Sequence, residues 1–149
     1  MRKVAGAMAA CVALAVPVSA GAYDTGTYKG TLSQAGGVPL TFKVVSKHVR
    51  AHGKPVVKRY VRLHGQFTRV DVSCPDGFVY HVNLSIKQPT DIPIKGGHFA
   101  LDEQLGFSGS FAGDGAKSRA SGRLSFGFPG VDKHGGDCSS GKLRWSAHR

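Results

Sequence analysis

The sequence has no apolar run long enough to cross a bilayer, little acid, few cysteines and no clear amphipathic helix, and each shortage closes off a class of protein. The longest weakly apolar stretch, Val4 to Val18, holds fifteen residues, mostly alanine and valine, against the roughly 20 a spanning helix needs. Nine acidic residues stand against twenty Lys and Arg, a formal charge of +11. Carboxylate-pair catalysis needs two acids in one cleft, and the few available fall mostly in turn-like sequence. The three cysteines are Cys11, Cys74 and Cys138, and the first lies inside the leading apolar run.

What is present at the start is an export signal. Arg2 and Lys3 lead into the apolar run, which stops at Pro17 and is followed by Val18-Ser19-Ala20 and Ala20-Gly21-Ala22, both small-x-small patterns that a signal peptidase accepts. Residues 1–22 are expected to be a cleaved secretory signal peptide and residues 23–149 a single secreted β-domain, with no transmembrane anchor left after cleavage. Met8-Ala9-Ala10-Cys11 loosely matches a lipoprotein processing box, but too little apolar sequence precedes Cys11 and the run continues beyond it. Removing Arg2 and Lys3 lowers the formal charge from +11 to +9, because all nine acids lie downstream. Cys74 and Cys138 then remain as an even pair in an oxidising compartment, which predicts a disulfide. Closing so long a loop stabilises by roughly 4 kcal/mol in the chain-entropy account.

Periodicity of two dominates the exported part. Phe78, Tyr80, Val82, Leu84 and Ile86 alternate with Val79, His81, Asn83, Ser85 and Lys87, one apolar row against a mostly polar one. The same alternation recurs in Leu40-Phe42-Val44, Val70-Val72-Cys74, Leu124-Phe126-Phe128 and Leu143-Trp145-Ala147. Turn-forming clusters such as Ala35-Gly36-Gly37, Pro75-Asp76-Gly77 and Lys95-Gly96-Gly97 separate the runs. Eight or nine strands follow, approximately 28–33, 38–46, 56–63, 67–73, 78–87, 98–105, 107–111, 120–128 and 142–147. Short connections favour an all-β antiparallel meander, closed as a small barrel or folded as a two-layer β-sandwich. Gly109, Gly113 and Gly122, in or beside strands, allow the tight coiling of a barrel, which is the preferred expectation.

Gly26-Thr27-Tyr28-Lys29-Gly30, Cys74-Pro75-Asp76-Gly77, Phe107-Ser108-Gly109-Ser110-Phe111, Ala120-Ser121-Gly122-Arg123-Leu124 and Cys138-Ser139-Ser140-Gly141 with Trp145-Ser146-Ala147 give the chain a further likeness. It resembles small exported bacterial all-β proteins of unknown function that have a G-x-Y-x-G start, one cysteine pair and a C-x-S-G-x-x-x-W-x-A ending. The resemblance implies shape and export, and it carries no activity and no catalytic residues.

The strongest functional signal is charge. Lys43, Lys47, Arg50, Lys54, Lys58, Arg59, Arg62 and Arg69, with His48, His52 and His64, fall in a stretch without one acidic residue. If Val56, Val57, Tyr60 and Val61 hold this segment on the sheet, its cations share one region and set up a field for anionic polymers, with Tyr60 and Phe67 available for stacking. The plainer alternative is a solvated hairpin whose lysines discourage edge pairing. His48 and His52 have the spacing of a helical zinc pair, but on a strand they stand about 13 Å apart; a metal site would need His81, His98 or His134 to converge.

Asp132, His134, Asp137 and Cys138 are the cluster closest to nucleophilic chemistry, and a disulfide at Cys138 removes its thiol. Gly106-Phe107-Ser108-Gly109-Ser110 misses the G-x-S-x-G elbow at its last position. Asp102 and Glu103, adjacent on a strand, face opposite sides. Asn83-Leu84-Ser85 matches a glycosylation acceptor, and Asn83 reads as an outward polar position. Trp145 reads as a core anchor. The expectation is a non-catalytic secreted monomer without cofactor or metal, binding a cell-wall polyanion, acidic polysaccharide or nucleic acid through Lys47, Arg50, Lys54, Lys58, Arg59 and Arg62. The alternative is a secreted protein-binding or inhibitor module acting through its loops.

Overall fold

A computed structural model describes residues 23–34, 36–102, 105–112, 118–130 and 135–149. The expected signal peptide with Cys11, and Glu103, Gly113, Asp132 and His134, lie outside the described residues. The strands are β1 (Gly26–Leu32), β2 (Val38–Ala51), β3 (Lys54–Ser73), β4 (Val79–Pro93), β5 (His98–Asp102), β6 (Leu105–Ala112), β7 (Arg119–Phe128), β8 (Cys138–Ser139) and β9 (Leu143–His148), and no helix occurs among the described residues. Alternation explains them: Val38, Leu40, Phe42 and Val44 are buried, whereas Pro39, Thr41 and Lys43 are exposed, so period-two sequence becomes one core-facing row.

All the pairings are antiparallel, but the expected single meander becomes two. Strands β1 to β4 form one and β5 to β7 the other, and β9 lies between β7 and β1, giving the order β4-β3-β2-β1-β9-β7-β6-β5. The tiny strand β8 pairs with both β7 and β3, closing β3, β2, β1, β9, β7 and β8 into a six-stranded barrel. The sandwich alternative is therefore set aside. On the β3 side the seam is a single pair, Ser73 with Ser139. Beside it Cys74 and Cys138 form the expected disulfide, their Cα atoms 4.2 Å apart.

The tight coiling that closure demands is visible where strands crowd one another. A Cβ placed on Gly30 would lie 1.8 Å from the Ser146 carbonyl oxygen, and one on Gly122 would lie 1.9 Å from that of Ser108. Only glycine fits there. Gly109, opposite Gly122, leaves room for the Trp145 indole. That indole is buried as expected and packs against Phe42, Phe99 and Phe107, at ring-centroid distances of 5.5, 6.0 and 5.2 Å. Val72, Cys74 and Cys138 form a second small cluster with Val82 and Phe128.

Three local expectations need correction. The segments read as 56–63 and 67–73 are one twenty-residue strand, β3, because the intervening turn-like sequence is absorbed by register shifts at Leu63/Gly65 and Phe67/Val70, and bulges bend a strand without ending it. The apolar row beginning at Phe78 lies on an edge strand: Phe78 and Tyr80 stay about half exposed and only Val82, Leu84 and Ile86 reach the core margin. Strand β8 had no sequence signal, being only two residues long.

Candidate functional site

The basic segment forms a projecting two-stranded arm. Strand β1 pairs with β2 only as far as Val44, and β4 pairs with β3 only from Tyr60 onward. From Val45 to Lys58 the two strands therefore have sheet partners only in each other, and at the base the Arg59 carbonyl accepts from the Ile94 amide at 3.0 Å. They join at His52-Gly53, with φ of 50° and 76°, the two positive values of a two-residue type I′ hairpin turn. The expected strands stopped at residue 46 and resumed at 56, so the arm extends both into what read as a loop.

Register sorts the cations. Lys43 faces Arg62, Lys47 faces Lys58 and Ala51 faces Lys54 on one side of the ribbon, alternating with the apolar pairs Val45/Tyr60 and Val49/Val56. That side continues the outer surface of the barrel, since the neighbouring positions Phe42, Val44, Val61 and Leu63 are the buried ones. Lys47, Lys54, Lys58 and Arg62 thus share one face, while Arg50 and Arg59 lie on the other with His48 and Val57. Like charges directly opposite across a ladder destabilise it; the arm has one such pair, Lys47/Lys58, and Lys43/Arg62 is a second just below it. Val57, expected to hold the segment down, is 58% exposed, whereas Val61 is buried. Phe67 is not a stacking surface: it is buried and packs on Phe126.

At the foot of the arm the cations meet Asp91. The Arg62 guanidinium donates Nε–H to Oδ1 at 2.7 Å and Nη2–H to Oδ2 at 3.1 Å, and the Lys47 ammonium also bonds Oδ2. The Arg62 hydrogen bonds hold the Asp91 carboxyl down at about 2, against the opposing effect of partial burial and with further help from Lys47. Lys47 also lies over the Tyr60 ring, 5.6 Å from its centroid. Asp91 carried no sequence signal as a partner, because β4 brings it to Arg62 across 29 residues.

A cleft of about 650 Å³ opens where the arm leaves the barrel, at the edge of β3 between its two faces, lined by Tyr23, Val57, Lys58, Arg59, Tyr60, Pro93, Ile94 and Lys95. Arg59 lies over the Tyr23 ring at 5.0 Å and donates Nη1–H to the Tyr23 carbonyl oxygen at 2.9 Å. Tyr23 also stacks on Phe111 at 4.8 Å. That ring is thus engaged by both Phe111 and Arg59.

Away from the arm, the β3–β4 register sets Asp71 opposite His81, and the His81 Nδ1 lies 2.5 Å from Asp71 Oδ1. They line a cavity of about 370 Å³ with Gln34, Thr68 and Arg69. Gln34 buttresses its floor, donating to the Arg69 carbonyl at 2.9 Å and accepting from the Asp71 amide at 3.1 Å. This pair was missed in the sequence because its members meet only through register. Asn83 is exposed and accepts a hydrogen bond from the Arg69 amide at 2.9 Å. The Cys138 sulfur is committed to its disulfide, so the thiol of the Asp132–Cys138 cluster is gone. His48 lies on β2 and His52 in the hairpin turn, and no three His, Cys, Asp or Glu gather into a metal-binding group among the described residues. No helix among them is long and apolar enough to cross a membrane. Compared with known proteins, the chain matches no family model, no curated protein sequence and no solved structure.

Proposed function

We propose that the protein is an exported, non-catalytic β-domain that binds an anionic polymer through its basic arm, with Lys47, Arg50, Lys54, Lys58, Arg59 and Arg62 as the contact residues. The observation that supports this most is the concentration of cations, with Lys47 directly facing Lys58, on a ribbon that contributes little to the core. Such an arrangement weakens the ladder that carries it, and a bound polyanion relieves the repulsion while releasing its own counterions. The test is retention on a heparin column. Elution should depend steeply on salt, and replacing the six cations by glutamine should abolish retention while the β-sheet spectrum is kept. Unchanged retention of a folded six-glutamine variant refutes the proposal.

A second reading, a protein-binding or inhibitor module, draws on Phe78, Val79 and Tyr80, exposed apolar residues where edge strand β4 begins. An open strand edge with apolar side chains can accept a partner's strand. Recovery of one stoichiometric protein partner at high salt, lost on Tyr80→Ser, would favour it over the electrostatic reading.

A further inference from the structure

We infer that the cleft at the root of the arm is a subsite for one uronate unit, which makes the anionic polymer an acidic polysaccharide; the inference rests on the polyanion reading above. The cleft supplies what an acidic sugar requires and withholds what a nucleobase requires. Lys58, Arg59 and Lys95 line it without any acidic residue, so it complements a carboxylate. The carboxylates closest in sequence to its lining residues are engaged elsewhere, Asp24 with Arg149 at 2.9 Å and Asp91 with Arg62 and Lys47.

Arg59 is fixed in place by the Tyr23 ring beneath it and by its bond to the Tyr23 carbonyl. A guanidinium held this way keeps further N–H donors for a carboxylate and loses little freedom on binding. Val57, Pro93 and Ile94 give the cleft small apolar surfaces that suit the C–H face of a pyranose ring. Base stacking, by contrast, needs an open aromatic face. The Tyr23 ring is engaged by Phe111 and by Arg59, and Lys47 lies over Tyr60.

Beyond the cleft, apolar and cationic rungs alternate along the outer face of the arm. The cationic rungs recur about every 13 Å. These rungs lie on the face of the arm opposite Arg59, so they form a separate electrostatic track and the cleft itself takes a single unit.

The experiment is calorimetric titration of the purified protein with three probes of matched charge: a galacturonate oligomer, inorganic polyphosphate and single-stranded DNA. The galacturonate oligomer should bind most tightly at moderate salt. Arg59→Gln should weaken it by about tenfold, the effect of losing one charge-assisted hydrogen bond, and should change polyphosphate binding by less than about twofold. Because Arg59 also packs on Tyr23, the exposed substitution Lys95→Gln serves as a second variant and should act in the same selective direction. Equal weakening of all three probes, or preferential loss of DNA binding, overturns the uronate subsite. If polyphosphate binds and galacturonate does not, the subsite falls alone. If the unaltered protein binds none of them, the polyanion reading falls with it.

Discussion

Asp91 restrains the arm's own charge, since its carboxylate occupies two of the six proposed contact residues, Lys47 and Arg62. Asp91→Asn should free both, raising the salt concentration needed to elute the protein from heparin, at a stability cost of about 1 kcal/mol. The pH dependence follows from the direction of the shift. The carboxyl is depressed from 3.8 to about 2, so its stabilisation is complete above the ordinary carboxylate range and is lost as pH falls through about 2. Denaturant midpoints of the native protein and of Asp91→Asn should therefore differ at pH 6 and converge near pH 2. At Gly122 the expected outcome is harsher. With a carbonyl oxygen 1.9 Å from the site of any Cβ, Gly122→Ala should destabilise by at least the roughly 1–3 kcal/mol of an overpacked core, read as a lowered melting temperature. Residues whose role depends on their own chain neighbours were legible: Trp145 belongs to an apolar row, and Gly109 and Gly122 stand within strands. Phe67 and Asp91 were misjudged or missed because their roles are fixed by Phe126 and Arg62, far away in sequence.

At the scale of the element, alternation identified most strands, and their ends were the weak point. Strand β2 runs on to Ala51 through a stretch where charge and histidine mask the apolar rhythm, because both faces of the arm meet water and neither needs to be apolar. The gap left between residues 63 and 67 is absorbed at Gly65 as a bulge, since β4 pairs on both sides of it and holds the strand together. The clearest alternating row, in β4, turned out to be only partly buried, because period two reports a two-sided strand and says nothing of what covers it. The arm's independence can be measured. Replacing residues 46–59 by a two-residue turn should leave the melting temperature within about 5 °C, given how little of the arm is buried, and should remove heparin retention. A collapse of the fold would show that the ribbon carries structural weight.

For the whole molecule, sequence was enough to give an all-β chain and its disulfide, but not the strand order. Barrel and sandwich share alternation and turn chemistry, and the placement of β9 between β1 and β7 depends on pairings more than a hundred residues apart, such as Lys29 with His148. The disulfide stands beside the single pair that joins β3 to β8, so it reinforces the weakest part of the ring. Replacing both Cys74 and Cys138 by serine should lower stability by about 2–5 kcal/mol, measured by denaturant unfolding. Thiol titration of the unfolded native protein should find no free sulfur at either position.

The hairpin tip has a different consequence for the integrity of the chain. Arg50 and Gly53 are exposed, and because Pro55 shields the bond after Lys54, a trypsin nick near the tip falls after Arg50, which would leave both ends of the sulfur bridge in the carboxyl-terminal fragment. Nothing covalent would then retain β1 and β2, which would stay attached through their ladders to β9 and β3 and through their buried side chains in the core. Nicked material should elute as one species under native conditions and part into two bands on a denaturing gel run without reductant.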